Sequence, residues 1–184
     1  MQSTLNSTKV FGIGFHKTGT TSLNSSLSHL GYHLTGPNGV SDPNIANNVY
    51  KMCYELAEQY DAFVDNPWPI IFKDMDEKYP DSKFILTLRP VDEWYESIIK
   101  HFQEAKTPMR EWIYGTGLGS PVGNKQVYID RYLKHYDEVR EHFAGRDDAL
   151  LEFNLVGGDG WQKLCTFLDK DEVSNDFPHL NKGR

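Results

Sequence analysis

A short segment near the start of the chain places a lysine and several hydroxyl groups around two glycines. The segment reads FGIGFHKTGTTSLNSSL over residues 11–27, and Gly14 and Gly19 bracket Lys17. Glycines let the backbone approach a ligand closely, and successive N–H groups at the start of a helix attract an anion. These residue types at this spacing predict a loop that binds a phosphate-like anion.

The position of the lysine distinguishes this loop from the nucleotide-binding P-loop, which reads G-x-x-x-x-G-K-[ST]. Gly14 and Gly19 keep the glycine spacing, but Thr20 occupies the lysine position and Lys17 lies inside the loop. A lysine there would lie near a bridging oxygen of the ligand. That oxygen leaves when a terminal group is transferred, so Lys17 would offset the charge that develops on it. The alternative is a strand–helix turn with a solvated lysine.

Apolar periodicity indicates the elements that position this loop. Residues 9–14 are typical of a buried strand, and a helix is expected from about Thr20. The other predicted strands are 61–65, 83–88 and 149–153, and the other predicted helices are 46–60, 91–102, 125–143 and 160–168. Strands that alternate with helices predict an α/β fold, with a parallel sheet of about four to five strands covered on both faces.

The predicted sheet also indicates where a ligand binds. Ligands of such folds bind beyond the carboxyl ends of the strands. The loops that begin at Gly14, Asp65 and Arg89 are therefore expected to face one common crevice. Residues 107–124 contain four glycines and two prolines, and we expect an extended loop or lid there.

Residues 16–22, HKTGTTS, resemble the 5′-phosphosulfate-binding loop of sulfotransferases that use 3′-phosphoadenosine 5′-phosphosulfate (PAPS). The family loop, K-x-G-T-[TS], is matched at four positions: Lys17, Gly19, Thr20 and Thr21. The resemblance implies a P-loop-kinase-like three-layer α/β sandwich. It also implies PAPS as donor, PAP as product, no metal, and donor contacts from His16, Lys17, Thr18, Gly19, Thr20 and Thr21.

Further positions extend the resemblance. The family binds the 3′-phosphate of PAPS with an arginine at a strand end and a serine eight residues later, and LRPVDEWYES places Arg89 and Ser97 at that spacing. An arginine guanidinium can donate two parallel hydrogen bonds to phosphate oxygens. Lys182, in a Lys-Gly pair close to the last residue given, resembles a basic family element that touches the same phosphate. The alternative is that Arg89 is a surface arginine and Ser97 a helical serine, neither of which binds a ligand.

The general base is expected at another strand end. Many cytosolic family members carry His-x-Pro there, and the segment DAFVDNP places Asp65 and Pro67 at those positions. The resemblance therefore implies Asp65 as the base, together with Lys17 as the catalytic cation. His16 and His101 are the alternative bases, and Asp65 would otherwise cap the next helix.

Composition limits the class of protein. The 184 residues carry a net charge of −7, with 39% hydrophobic and 24% charged residues. This predicts one globular domain over residues 1–184, without a broad nucleic-acid surface. No apolar run approaches the roughly 20 residues of a membrane helix, and no apolar signal core is evident, so we expect a cytoplasmic protein. The two cysteines, Cys53 and Cys165, are expected to be buried free thiols.

Three functions are compatible with the residues. The first is a PAPS-dependent sulfotransferase that acts on a hydroxyl or amine of a small-molecule or carbohydrate acceptor. The second is a small-molecule or nucleotide kinase, against which the threonine in the P-loop lysine position argues. The third is a non-catalytic module that binds an adenosine phosphate. The sequence carries no recognisable code for the acceptor or for the oligomeric state.

Overall fold

A computed structural model describes residues 8–178 of the chain. Within this range, five parallel strands form a sheet in the spatial order β2-β3-β1-β4-β5. The strands are β1 (Val10–Gly12), β2 (Leu34–Thr35), β3 (Ala62–Val64), β4 (Lys83–Thr87) and β5 (Leu150–Phe153). The prediction of an α/β fold with a parallel sheet of four to five strands is confirmed. The two-residue strand β2 is too short to leave a pattern in the sequence.

Seven helices connect and cover the strands in the described range. They are α1 (Thr20–His29), α2 (Ile45–Ala57), α3 (Phe72–Lys78), α4 (Val91–Phe102), α5 (Pro108–Tyr114), α6 (Lys125–His142) and α7 (Trp161–Leu168). The helices predicted from Thr20 and over 46–60, 91–102, 125–143 and 160–168 are confirmed, with ends that differ by at most three residues. Helices α3 and α5, of seven residues each, were not predicted.

The side chains of the strands alternate between two apolar layers, one on each face of the sheet. On one face, the ring of Phe11 stacks between Phe63 and Phe84, at centroid distances of 4.7 and 5.2 Å. Helices α2 to α6 bury their apolar faces against this layer. Helices α1 and α7 cover the other face, through residues such as Leu23 and Leu164. The predicted three-layer sandwich is therefore present.

The strand order determines which loops meet. Strand β1 is central and pairs with β3 on one side and with β4 on the other, so that Gly12 lies opposite Val64 and Ile85. All three strands run in the same direction, which brings the loops after them to one edge of the sheet. A crevice at the carboxyl ends, where the order of strands reverses, is the usual ligand site of open α/β sheets.

The expectation of an extended loop over residues 107–124 is wrong for its first half. Residues 108–114 form helix α5, in which the Thr107 side chain accepts a hydrogen bond from the Arg110 N–H and Pro108 occupies the first turn. A threonine cap followed by proline is a helix start signal. The rest of the segment is held by hydrogen bonds, from the Tyr128 hydroxyl to Gly119 O and from the Tyr95 hydroxyl to Pro121 O. These contacts argue against a loose lid.

Two expectations from composition can be compared with the structure. Cys53 and Cys165 are buried and unbonded to each other, as predicted. Burial raises the pKa of the Cys53 thiol to about 12, so it stays protonated at neutral pH. In the part of the chain that is described, no helix has both the length and the apolar character needed to cross a membrane.

A buried histidine supports the strand that leads into the site. His135 on α6 is fully buried, its ring Nε2 lies 2.7 Å from the carbonyl oxygen of Ile13, and its ring stacks on Phe15 at 4.4 Å. Because the carbonyl accepts, Nε2 carries the proton. Burial lowers the pKa of His135 to about 3, so the ring is neutral in the folded protein.

We expect acid to destabilise the protein through His135. The unfolded chain takes up this proton near pH 6.5 and the folded chain only near pH 3, so the stabilisation is present above pH 6.5 and is lost as the pH falls. Between pH 7 and pH 5 this amounts to about 1–2 kcal/mol. Urea unfolding at both pH values should show a smaller loss for His135→Gln than for the wild type. The exposed-site control His29→Gln should behave as the wild type, and an unchanged loss in His135→Gln would contradict the assignment.

Candidate active site

The loop between β1 and α1, residues 13–19, packs tightly against β4. A Cβ atom at Gly14 would lie 1.9 Å from the hydroxyl oxygen of Thr87, so this approach requires glycine. The backbone is in the left-handed region at Lys17, with φ of 67°, and at Gly19, with φ of 108°. Non-glycine residues adopt such angles rarely, and they do so preferentially at ligand sites. The loop thus holds Lys17 in an uncommon conformation.

Helix α1 begins at Thr20, directly after this loop, so its N-terminus adjoins the loop residues. Gly19 is the N-cap residue and provides no side-chain cap hydrogen bond. The first N–H groups of a helix have no acceptor within the helix, and the helix dipole makes this end positive. The start of α1 at Thr20 and Thr21 is therefore suited to an anion.

Asp65 follows β3 and connects that strand end to α1. Its Oδ2 accepts a hydrogen bond from the Thr20 hydroxyl at 2.9 Å, and its Oδ1 accepts one from the N–H of Asn66 at 2.7 Å. Its backbone is also left-handed, with φ of 71°. The carboxylate thus does not cap helix α3, which was the structural alternative. It lies beside the N-terminus of α1 with lone pairs left for a further donor.

Arg89 follows β4 and reaches back to the lysine loop. Its Nη1 donates to the carbonyl oxygen of Lys17 at 3.1 Å. Its Nε is buried without a hydrogen-bond partner among the described residues, because the Glu93 carboxylate is 3.9 Å away. Ser97 lies two turns further along α4 and is partly exposed. A buried guanidinium N–H without an acceptor is costly, and a bound anion would satisfy it.

These groups line one cleft at the carboxyl edge of the sheet. Its volume is about 680 Å³, within the roughly 300–1,000 Å³ of small-molecule sites. The expectation that the loops after β1, β3 and β4 face a common crevice is confirmed. The candidate residues that line the cleft are His16, Lys17, Thr18, Gly19, Thr20, Thr21, Asp65, Arg89, Ser97 and His101. Lys182 lies outside the described residues.

Comparison with known proteins agrees with this geometry. The family model described as a sulfotransferase domain matches residues 9–118 and 109–184. The chain belongs to the sulfotransferase family. It is also similar to "Ava biosynthesis cluster protein M" of Aspergillus versicolor, with 26% identity over 220 aligned residues that cover 94% of this chain and 80% of that protein. The resemblance first seen in residues 16–22 thus extends over the described fold.

Two of the predicted donor-binding residues of this sulfotransferase-family chain have side chains committed to the protein itself. The Thr18 hydroxyl donates to the carbonyl oxygen of Phe15 and contacts the Thr87 hydroxyl, each at 2.5 Å. The ring nitrogens of His16 contact Asn66 Nδ2 at 3.1 Å and the Tyr114 hydroxyl at 3.0 Å. Both side chains shape the loop, and neither directs a free polar group into the cleft.

The two alternative bases differ in their surroundings. His16 is 3% exposed, and burial lowers its pKa to about 4 against the opposing effect of the Asp65 charge. With both ring nitrogens engaged, it is poorly placed to take a proton from an acceptor. His101 is exposed at the cleft, and partial burial together with the charges of Lys17 and Arg110 lowers its pKa. In this family member, His101 is the better second candidate.

The charge of Lys17 is also tuned by its neighbours. Partial burial and the nearby Arg89 guanidinium lower the pKa of the Lys17 ammonium, and the Asp65 carboxylate opposes them. Among residues 8–178, no group of three or more His, Cys, Asp or Glu side chains is arranged to hold a metal ion. Lys17 and Arg89 line the cleft from the loop after β1 and from the end of β4.

Several cleft residues were missed by sequence reasoning. Asn66 follows Asp65, Arg110 lies on α5, and Leu155 and Val156 follow β5. The β5 loop was not assigned to the site although β5 itself was predicted, because the sequence does not show that β5 lies beside β4. Arg110 was missed because helix α5 was not recognised in the sequence.

Proposed function

We propose that this protein transfers the sulfuryl group of PAPS to a hydroxyl or amine of a small-molecule or carbohydrate acceptor. The observation that carries the proposal is that the Lys17 loop and the Arg89–Ser97 pair line one cleft in a sulfotransferase-family chain. We also propose that residues 1–184 act as one domain, because the loops after three neighbouring strands of one sheet contribute to this cleft.

The 3′-phosphate is assigned to Arg89 and Ser97. The buried, unpartnered Nε of Arg89 supports this assignment, since the guanidinium is held by one bond to Lys17 O and keeps donors for an anion. Guanidinium groups bind phosphate through paired hydrogen bonds. Lys182, predicted to assist at this phosphate, remains a proposal from the sequence.

The 5′-phosphosulfate is assigned to the β1–α1 loop and the N-terminus of α1. The uncapped helix start after Gly19 supports this assignment, as does the left-handed Lys17, whose side chain lines the cleft. Leu155 and Val156 offer apolar surface for the adenine base. Val156 is 60% exposed although it lies in the cleft wall, and a bound base would cover such a side chain.

PAPS supplies an activated sulfuryl group: the S–O bond to its 5′-phosphate breaks, an S–O bond to an acceptor hydroxyl or an S–N bond to an acceptor amine forms, and PAP leaves. Lys17 would hold the negative charge that accumulates on the bridging oxygen. Asp65 would accept the proton that the acceptor loses. The Thr20 hydroxyl would keep the Asp65 carboxylate oriented through its bond to Oδ2.

Replacing Arg89 by alanine tests the donor assignment. We expect PAP to bind more weakly by about 1.5–3 kcal/mol, the range for charge-assisted hydrogen bonds. Adenosine 5′-phosphosulfate, which lacks the 3′-phosphate, should lose far less affinity. Isothermal titration of both ligands measures this difference. Equal losses of affinity would show that Arg89 stabilises the fold and does not bind the 3′-phosphate.

Glu93→Gln is the matched control for this experiment. The Glu93 carboxylate faces Arg89 Nε at 3.9 Å and is half exposed, so its removal takes away a competing anion without removing the guanidinium. PAP should then bind with equal or higher affinity, by up to about 1 kcal/mol, the scale of an exposed ion pair. A loss similar to that of Arg89→Ala would mean that any change near this pair disturbs binding.

Two measurements separate the competing functions. Titration with PAP, ATP and GTP, each with and without magnesium, should show preference for PAP without a magnesium requirement. A kinase would prefer a nucleoside triphosphate with magnesium. Turnover of labelled PAPS with a panel of phenols, sugars and amines then separates an enzyme from a module that only binds an adenosine phosphate.

A further inference from the structure

Arg110 is a buried cation in the wall of the cleft that the proposed donor site does not use. Arg110 is 5% exposed and lines the cleft from α5. Its Nε donates to Gly119 O at 2.9 Å and its Nη2 to Ala105 O at 2.5 Å. The guanidinium lies on the face of Phe102, with Cζ 4.2 Å from the ring centroid.

The charge of Arg110 is not neutralised by a side chain within the described residues. No carboxylate of residues 8–178 lies within 4 Å of its guanidinium nitrogens, and its hydrogen bonds go to two neutral carbonyls. Buried charges are normally paired, because removing an ion from water is expensive. No hydrogen bond joins Nη1 to a described residue. The cleft side of this guanidinium is therefore suited to an anion.

The surroundings of Arg110 differ from those of the proposed donor groups. Lys17 and Arg89 follow β1 and β4 and touch each other, whereas Arg110 comes from α5. The cleft residues on and near its element are largely apolar, with Phe102, Met109 and Val40 among them. An apolar wall with one buried cation favours a ligand with an apolar body and one anionic group.

We propose that Arg110 and this apolar wall form the acceptor subsite, and that the acceptor is a hydroxylated apolar or aromatic carboxylate. This inference rests on the proposed function, since the word acceptor presupposes sulfuryl transfer. The acceptor carboxylate would bind the Arg110 guanidinium and its apolar body would contact Phe102 and Val40, which line the cleft and are partly exposed. Its hydroxyl would then be left for the region of Lys17 and Asp65.

The test compares carboxylic acids with their methyl esters. The probes are 4-hydroxybenzoate, 4-hydroxycinnamate and 10-hydroxydecanoate, each beside its ester, titrated into the wild type with and without saturating PAP. We expect at least one acid to bind about tenfold or more tightly than its ester, because a charge-assisted contact is lost in the ester. Equal binding of acids and esters by the wild type would overturn the proposal without any variant.

Variants assign the preference to Arg110. Arg110→Gln should abolish the preference for the acid, and Arg110→Lys should keep part of it, while PAP affinity and thermal stability are read in parallel. Lys106→Gln removes the same charge from a neighbouring exposed position and should leave the preference unchanged. A preference for the acid that persists in a folded Arg110→Gln protein would overturn the assignment. Loss of PAP binding by this variant, with the preference for the acid intact, would overturn it as well.

The proposed function has its own readout in the same experiment. PAP binding by the wild type does not depend on the comparison of acids with esters. A wild type that binds PAP but does not distinguish an acid from its ester overturns the acceptor assignment alone. A wild type that does not bind PAP overturns the proposed function.

Discussion

Lys17→Ala is expected to lower single-turnover transfer from labelled PAPS by at least about 10²-fold, the scale of a preorganised charge at a leaving oxygen. PAP affinity should change much less, since PAP lacks the sulfuryl group whose departure Lys17 assists. Alanine and lysine both carry a Cβ atom, so the substitution adds no strain to the left-handed backbone at position 17, and the variant is expected to fold. Rapid-quench measurement of the labelled product, beside titration of PAP, gives both numbers.

The pH dependence adds a second readout for Lys17. Because burial and Arg89 lower the pKa of this ammonium from its ordinary value of 10.5, transfer should begin to fall at a pH below that value as Lys17 loses its proton. Lys17→Arg keeps the charge and should move this alkaline limb upward. Lys134→Ala, at a highly exposed position on α6, is the control and should match the wild type. A proportional loss of PAP affinity and transfer in Lys17→Ala would show uniform binding and not catalysis.

Asp65→Asn is expected to lower the transfer rate by about 10²–10⁴-fold, the usual contribution of a general base. The substitution is nearly isosteric: an asparagine oxygen can still accept from the Asn66 N–H, and the amide can still pair with the Thr20 hydroxyl. Asparagine also tolerates the left-handed backbone at this position. PAP affinity and the melting temperature should therefore stay close to wild type, and only the capacity to take a proton is lost.

The pH profile distinguishes a base from an orienting group at Asp65. If the ionised carboxylate accepts the proton, the acidic limb of the wild-type rate profile should be absent in Asp65→Asn. Wild-type transfer by this variant would contradict the assignment, and His101→Gln would be the next variant to measure. His16 follows after it, because Asn66 and Tyr114 already occupy its ring nitrogens.

Much of the fold was readable in advance because its signals are local. The apolar stripe of α4, the strand at 83–88 and the Gly14-to-Thr21 loop each depend on residues close together in sequence. Helix α5 was missed because the glycines at 115–123 dominated the segment, although Thr107 and Pro108 marked a helix start. The two-residue strand β2 has no pattern of its own and exists through its pairing with β3.

The sequence by itself indicated the family, through the resemblance of residues 16–22, and it suggested Lys17, Asp65, Arg89 and Ser97 as candidate site residues. Residue types at fixed spacing indicated the Lys17 loop, whereas the roles of Asp65, Arg89 and Ser97 were implied by the resemblance to sulfotransferases. Only the tertiary structure decided how they meet: β3 and β4 flank β1, so Asp65 and Arg89 lie on either side of the Lys17 loop.

The tertiary structure also determined the burial, the pairing and the pKa of individual side chains. Burial between Asn66 and Tyr114 makes His16 a neutral part of the loop, and packing of α5 brings Arg110 into the cleft without a carboxylate beside it among the described residues. Burial, pairing and pKa depend on contacts between residues distant in sequence. Spacing along the chain carries no information about those contacts, so these properties appear only when the helices pack on the sheet.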